Sequence, residues 1–322
     1  MITFITTFKP FKHPFDIIQL NALKSWLRFC PPCEIVVTGA EEGVEEAIGN
    51  LPHIKILPQL RRTASGAPLL DDLVKTGESV ANHDLICLIN GDIIIVDDIL
   101  KLVKQVKKLF QNNFLLTCRR YDISINELIN DNWCEKVKLL REQALIAYSK
   151  SKKRPKGTDL FVFGKGLFNK IPPFAVGRLV WSRWLIYKAL AMGKPVIDAT
   201  ESLTVLHQQH SFEHIKEHIV RNALSKGKFG YDAVVLGQDY KRNLILGGVA
   251  AYFSEEDCDY ILTKQSIYRR TDVKFLLRKL FTKPLINTYS SRYAVTLIKV
   301  LMPTKNMRRA IKRALFNIRI LY

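Results

Sequence analysis

The sequence predicts an open α/β sheet of the doubly wound type. Three observations carry that expectation. Short apolar runs rich in β-branched residues recur at 2–8, 34–38, 53–57, 85–89, 114–117 and 160–163, the pattern of strands buried on both faces. Segments with helical spacing lie between them, and strand–helix alternation argues a mostly parallel sheet. The run at 85–89 also ends in Asn90-Gly91-Asp92. A carboxylate at the end of a buried strand sits at the sheet edge where open α/β sheets take their ligands.

Each element follows in order. The strand at 2–8 alternates, and the helix at 15–29 puts Ile18, Ala22, Trp26 and Phe29 on one face. The strand EIVVT stops at Gly39. A helix at 41–48, a strand at 53–57 and a helix at 69–80 lead to the strand at 85–89. A second apolar run and the pair Asp97-Asp98 come next. One of these acids caps a helix over 99–110 whose Lys-rich face is solvated. A strand at 114–117 precedes a polar insertion, 120–157, with one helix at 133–148 and the basic loop SKSKKRPKGTD. That loop is long enough to border an active site. After the strand at 160–163, a helix at 182–192 is stopped by Gly193 and Pro195. Its Trp181 and Trp184, three apart, share a core-facing stripe. Short strands at 196–198 and 203–206 and a helix at 212–223 complete the pattern. Beyond about residue 230 the sheet signal fades, and from 273 the basic amphipathic segments LLRKLF, YAVTLIKVLM and MRRAIKRALF follow.

With 322 residues, 48% hydrophobic and 25% charged, the composition is that of a soluble globular protein. The formal charge of +19 is unusual, and it is uneven. No Asp or Glu follows Asp272, whereas twelve Lys and Arg lie between Lys274 and Arg319. A basic tail of this kind seeks a polyanion such as an anionic membrane surface. No apolar run reaches the length of a membrane span, and the N-terminal stretch lacks the pattern of a secretory signal. The expectation is a cytoplasmic protein with a means of peripheral attachment to the inner face of a membrane. Cys30-Pro31-Pro32-Cys33 is a lone C-x-x-C in a helix–strand connection and reads as a chance motif, since no second pair completes a zinc site.

Four pieces in order resemble a known family. They are Gln19-Leu20-Asn21-Ala22 with Ser25-Trp26; Gly66-Ala67-Pro68-Leu69-Leu70-Asp71 followed by Leu88-Ile89-Asn90-Gly91-Asp92-Ile93; Gly157-Thr158-Asp159-Leu160-Phe161-Val162-Phe163 with Pro172-Pro173-Phe174-Ala175-Val176-Gly177-Arg178; and Asp198-Ala199-Thr200 with His207-Gln208-Gln209-His210. Together, over residues 1 to about 220, they resemble the GT-A-type nucleotide-diphospho-sugar transferase-like (glycosyltransferase) family of bacteria and plants. The resemblance implies a GT-A-like open, mostly parallel twisted sheet flanked by helices. It places a nucleotide-sugar-binding and catalytic domain at 1–230 and leaves a basic helical extension at 231–322. It also implies transfer of a sugar from a nucleotide-sugar donor to a glycan or lipid-linked acceptor, assisted by a divalent cation, Mn2+ or Mg2+.

The same resemblance assigns roles. A metal held by carboxylate and imidazole neutralises the leaving diphosphate, which points to Asp92 with His207 or His210. On an extended segment these two His face opposite sides, so one of them is expected to reach the metal. Asp159 is a candidate sugar ligand or base, and Arg178 a partner for a phosphate or an acidic acceptor. Thr7, Asn21, Arg62, Gly66, Asn90 and Gly91 are the candidates for binding the nucleotide sugar. Gly91 lets a ligand approach the backbone closely. One departure stands out. Relatives tend to read Gly-Arg-Pro-Gly-Trp-Asp-Asn-Trp where this chain reads Gly177-Arg178-Leu179-Val180-Trp181-Ser182-Arg183-Trp184. An acid that can act as base is thereby replaced by Ser182.

Three other readings compete. A GT-A protein that binds sugar nucleotide without turnover agrees with Ser182. A zinc metalloprotease is suggested by His214-Ile215-Lys216-Glu217-His218, an H-x-x-E-H match, but that leaves the α/β half without a purpose. A nucleic-acid-binding protein is suggested by charge alone. No zinc-finger or basic-aromatic motif supports it, so no specific nucleic acid is expected.

Overall fold

The computed structural model describes residues 1–29, 33–130, 132–151, 154–210 and 237–286. Cys30 to Pro32, the helix expected at 212–223 with its HIKEH motif, and the tail from 287 onward lie outside the described residues.

The chain forms the α/β architecture expected. Strands β1 (Thr3–Thr6), β2 (Glu34–Thr38), β3 (Ile54–Leu57) and β4 (Leu85–Ile89) run parallel, in the spatial order β4-β1-β2-β3. Every residue of β1, β2 and β4 is buried; β4 reads as an unbroken apolar run, whereas β1 and β2 also bury Thr3, Thr6, Glu34 and Thr38. Helices α1 (Phe15–Leu27), α2 (Val44–Ile48) and α3 (Leu70–Val80) make the crossovers. Trp26 of α1 lies flat between Phe4 and Phe8, at centroid separations of 6.1 and 6.2 Å, and its indole N–H donates to the Ile93 carbonyl at 2.9 Å.

Beyond β4 the sheet continues through β8 (Leu160–Gly164), antiparallel to β4, then β6 (Leu115–Thr117) and β9 (Val196–Asp198). Helix α4 (Ile99–Phe110) is capped by Asp98, whose carboxylate accepts from the Lys101 N–H at 3.1 Å. Asp97 instead accepts from the Thr204 N–H at 2.7 Å. Helix α6 (Trp181–Ala191) buries Trp181 against Phe161 and Trp184 against Phe174, the core stripe expected.

Two features differ from the sequence reading. First, the run after Asp92 is a strand, β5 (Ile93–Ile95), of a separate sheet with order β5-β10-β7. It pairs with β10 (Val205–Gln208), which on its other side pairs with β7 (Arg120–Ile123), the latter inside the stretch read as a polar insertion. Helix α5 (Trp133–Lys150) covers this small sheet: Val137 and Ala144 pack with Ile94 and Leu206. Second, the main sheet does not stop near 230. Strands β11 (Tyr260–Leu262) and β12 (Ile267–Arg269) extend it past β9 to nine strands among the described residues. Helices α7 (Gln238–Gly247) and α8 (Val273–Ile286), in the stretch expected to be helical, pack near α6. No helix among the described residues is long and apolar enough to cross a membrane.

Candidate metal centre and active site

The site forms where β1 and β4 leave the main sheet and meet the small one. A Cβ on Gly91 would lie 2.6 Å from the Phe8 ring and 3.3 Å from the Thr7 carbonyl. Only a residue without a side chain fits there. The chain then turns and delivers Asp92, whose carbonyl accepts from the Gln208 N–H at 3.2 Å. Asp92 Oδ2 faces His207 Nε2 at 3.4 Å and His210 Nε2 at 3.3 Å. One ligand atom from each of the three lies within 4.8 Å of the others.

His207 sits on β10 directly across from Asp122 on β7. Its Nδ1–H donates to Asp122 Oδ1 at 2.9 Å. That bond fixes the ring so that Nε2 points at Asp92, the carboxylate–imidazole arrangement found behind metal-ligating histidines. His210 is reached differently. β10 ends at Gln208, and the Gln209 N–H donates to the Ile123 carbonyl at 2.8 Å. The alternation of an extended strand therefore stops before residue 210. Both histidines meet Asp92, where the sequence reading brought in one. Phe15 packs edge-on against His210 at 5.2 Å.

The electrostatics are those of a buried ion pair. Burial alone would raise the Asp92 pKa, but His207, His210 and Arg120 outweigh it and hold the carboxyl well below its usual range. Burial pulls the His207 imidazole down, but Asp92 and the bond to Asp122 prevail and raise it to about 9. Asp92 Oδ1 is buried with no hydrogen-bond partner, as are Thr7 Oγ1 and Arg120 Nε at the same edge. Arg120 Nε does lie 3.3 Å from Asp122 Oδ1, close enough for Coulomb attraction but not aligned as a hydrogen bond. Three of the eight orphaned polar atoms among the described residues thus gather at one sheet edge, and such atoms call for a ligand or ion. One carboxylate and two imidazoles fit a divalent transition cation. Mg2+, which takes oxygen ligands, matches the set less well.

Around this centre lies a ring of charge. Arg120 pairs with Asp159, and the Asp159 Oδ1 accepts from Asn90 Nδ2 at 2.8 Å. The Asn90 N–H donates to the Asp159 carbonyl at 3.0 Å. Asp159 therefore braces the strand end that carries Gly91 and Asp92. Burial lowers the Lys9 pKa, with Arg178 adding to that effect and Asp92 opposing it. The Lys9 ammonium sits 3.9 Å from the centre of the Phe15 ring. Arg178 stacks over Tyr240 of α7 at 5.5 Å. α7 also anchors two loops. The Asn243 side chain bonds Ala175 N, Ala175 O and Leu179 O at 2.8 to 3.0 Å, and Asp239 accepts from Thr63 and Ser65.

The remaining sequence candidates separate. Asn21 is fully buried. Its Oδ1 accepts from Ile129 N at 2.9 Å, and its Nδ2 donates to Glu127 O at 3.0 Å and Gln208 Oε1 at 3.1 Å. It ties α1 to the end of β10. Arg62 pairs with Glu41 and donates to the Gly66 carbonyl at 3.0 Å, while Gly66 turns with φ +86°. Both lie on the loop that follows β3, at the C-terminal edge of the parallel strands. Arg183, at the relatives' Asn position, donates to the Ala251 carbonyl at 2.6 Å. Val180, where relatives tend to have Gly, adopts φ 83°, a conformation strained for a β-branched residue.

Sequence reasoning missed Arg120, Asp122 and Lys9. Arg120 and Asp122 are two apart in Arg-Tyr-Asp-Ile. Charges at that spacing share one face of a strand, the signal that was available.

No protein-family model matches this chain, and no curated protein does. Among solved structures it is similar to the mannosyltransferase PcManGT from Pyrobaculum calidifontis in complex with GDP-Man and Mn2+. That pair is 12% identical at a TM-score of 0.41, covering 96% of this chain and 82% of that one. It is also similar to S. aureus TarS 1–349, 11% identical at a TM-score of 0.45, covering 78% of this chain and 80% of that one. At these values neither likeness bears on function.

Proposed function

We propose that this chain is a metal-assisted glycosyltransferase that takes a nucleotide-diphosphate sugar as donor and a glycan or lipid-linked acceptor. The observation that carries the reading is the convergence of Asp92, His207 and His210 at the C-terminal edge of a mostly parallel sheet, where open α/β sheets bind ligands. The GT-A resemblance of the sequence supports it. The three side chains would hold the cation, and the chemistry a bound cation supplies is neutralisation of the leaving diphosphate. Mn2+ suits this donor set better than Mg2+.

The chain's own residues do the rest in this reading. Thr7 Oγ1 faces the donor, and Gly91, packed under the Phe8 ring, sets the turn that presents Asp92. Arg178 and Lys9 present positive charge to the phosphates or to an anionic acceptor. Arg62 and Gly66 border the nucleotide end. Asp159, paired with Arg120, keeps Asn90 and Asp92 in place and presents an acceptor to sugar hydroxyls. Asp122 holds His207 in the tautomer whose Nε2 faces the centre.

A binder without turnover is the second reading, favoured by Ser182 and by Arg183, which is engaged with Ala251. Chromatography of a panel of nucleotide sugars incubated with protein and Mn2+ separates the two. Release of a nucleoside diphosphate from one donor, lost in Asp92→Asn, supports the enzyme. Tight binding with no product from any donor supports the binder.

A further inference from the structure

Helix α8 is amphipathic, but its charged side faces inward. Lys274 pairs with Glu256 at 3.2 Å, Arg278 with Asp257 at 2.6 Å, and Lys279 with Asp259. Phe275, Thr282 and Leu285 are buried on that same side. The outward side is apolar: Val273 is 69% exposed, Leu276 50% and Leu280 71%. Positions 273, 276 and 280 fall on one helix face, and the exposed Lys283 continues it. A soluble helix that binds its cations to its own domain and shows leucines to solvent has an unmet apolar surface. The sequence that follows offers a clue to what covers it. Residues 287–322 contain eight Lys and Arg and no Asp or Glu.

We propose that the outward face of α8 docks on an anionic lipid surface. Val273, Leu276 and Leu280 enter the interface, and the acid-free sequence beyond α8 supplies attraction to the headgroups. Apolar insertion combined with lysine and arginine near the surface is the chemistry of interfacial helices. The ion pairs to Glu256, Asp257 and Asp259 fix which face of α8 looks outward. For the acceptor this rests on the transferase reading and selects its lipid-linked branch. The docking itself stands or falls separately.

The test is co-sedimentation of the full chain with vesicles of phosphatidylcholine alone or mixed with phosphatidylglycerol. Wild type should bind the mixed vesicles and not the neutral ones. Leu276→Ser/Leu280→Ser should bind at least about tenfold more weakly, as expected for withdrawing two leucines from an interface. Its melting temperature should be unchanged, because neither leucine is buried. Leu109→Ser, an equally exposed leucine on α4, should bind like wild type. Equal binding by the double variant overturns the proposal, and so does indifference of wild type to anionic vesicles. A concentration-dependent dimer in analytical ultracentrifugation that the double variant abolishes also overturns it, since a second copy would then cover the stripe. Donor binding measured in parallel without vesicles reports on the transferase reading alone.

Discussion

Replacing Asp122 separates two things its carboxylate does for His207. It orients the ring through the 2.9 Å bond to Nδ1, and it helps raise the imidazole pKa to about 9. An imidazole binds a metal only through an unprotonated nitrogen, so metal and proton compete for Nε2. In the wild type, Mn2+ affinity should rise about tenfold per pH unit from about pH 7 to about pH 9 and then level. Asp92 stays ionised throughout and adds no slope. Asp122→Asn keeps an acceptor for Nδ1–H but removes the charge, so the sloping region should move to lower pH. Asp122→Ala also loses the orientation, and outer partners of this kind are worth about 10–100-fold in metal affinity. Above pH 9, where the proton no longer competes, the Ala variant should show that full deficit. Near pH 7 the deficit should narrow, because the variant no longer holds the competing proton as tightly. Mn2+ titration followed by electron paramagnetic resonance across this range reads both effects. A flat wild-type profile between pH 7 and 9, or an Ala variant that matches wild type above pH 9, would refute the assignment.

Other consequences follow from the same geometry. His207→Ala and His210→Ala should each weaken Mn2+ binding by about tenfold or more; a silent His210→Ala would show that Oδ2 of Asp92 and His207 suffice. Because the folded-state pKa of His207 lies above its ordinary 6.5, its contribution to metal-free stability is fully present below about pH 6.5 and lost as pH rises through about 9. Melting of chelator-treated protein should fall across that window, and excess Mn2+ should cancel the fall. A Cβ on Gly247 would lie 2.1 Å from Val180 Cγ1, so Gly247→Ala should cost about 1–3 kcal/mol. Val180→Gly frees that space and relaxes a strained φ at the expense of a buried side chain, so urea titration of the double variant should recover most of the loss.

Much of the sheet was legible because buried parallel strands are short apolar runs, unbroken in β4 and flanked by Glu34 and Thr38 in β2. The site was legible only in part. Asp92 stood out because it ends such a run. β7 was hidden by its function: Arg120 and Asp122 point into the centre, so the strand reads as a polar loop. Both His207 and His210 face Asp92, where one was expected because strand alternation was extended two residues past the end of β10. The contribution of α7 was hidden because Asp239 and Asn243 are buried polar groups whose partners are loop atoms distant in sequence. Val180 shows the converse. The backbone adopts a glycine conformation at a position where the side chain gives no sign of it.

In the transferase reading, Asp92, His207 and His210 hold a cation that a nucleotide-sugar donor needs. A thermal-shift titration of nucleotide sugars tests it most directly, with and without Mn2+, on wild type and Asp92→Asn. A ligand that binds only the folded state raises the melting temperature, by about 2.7 kcal/mol of stability at a hundredfold excess over its dissociation constant. At least one nucleotide sugar should shift wild type only when Mn2+ is present and leave folded Asp92→Asn unmoved. A shift of the same size without metal or in Asp92→Asn, or no shift from any nucleotide sugar, would contradict it.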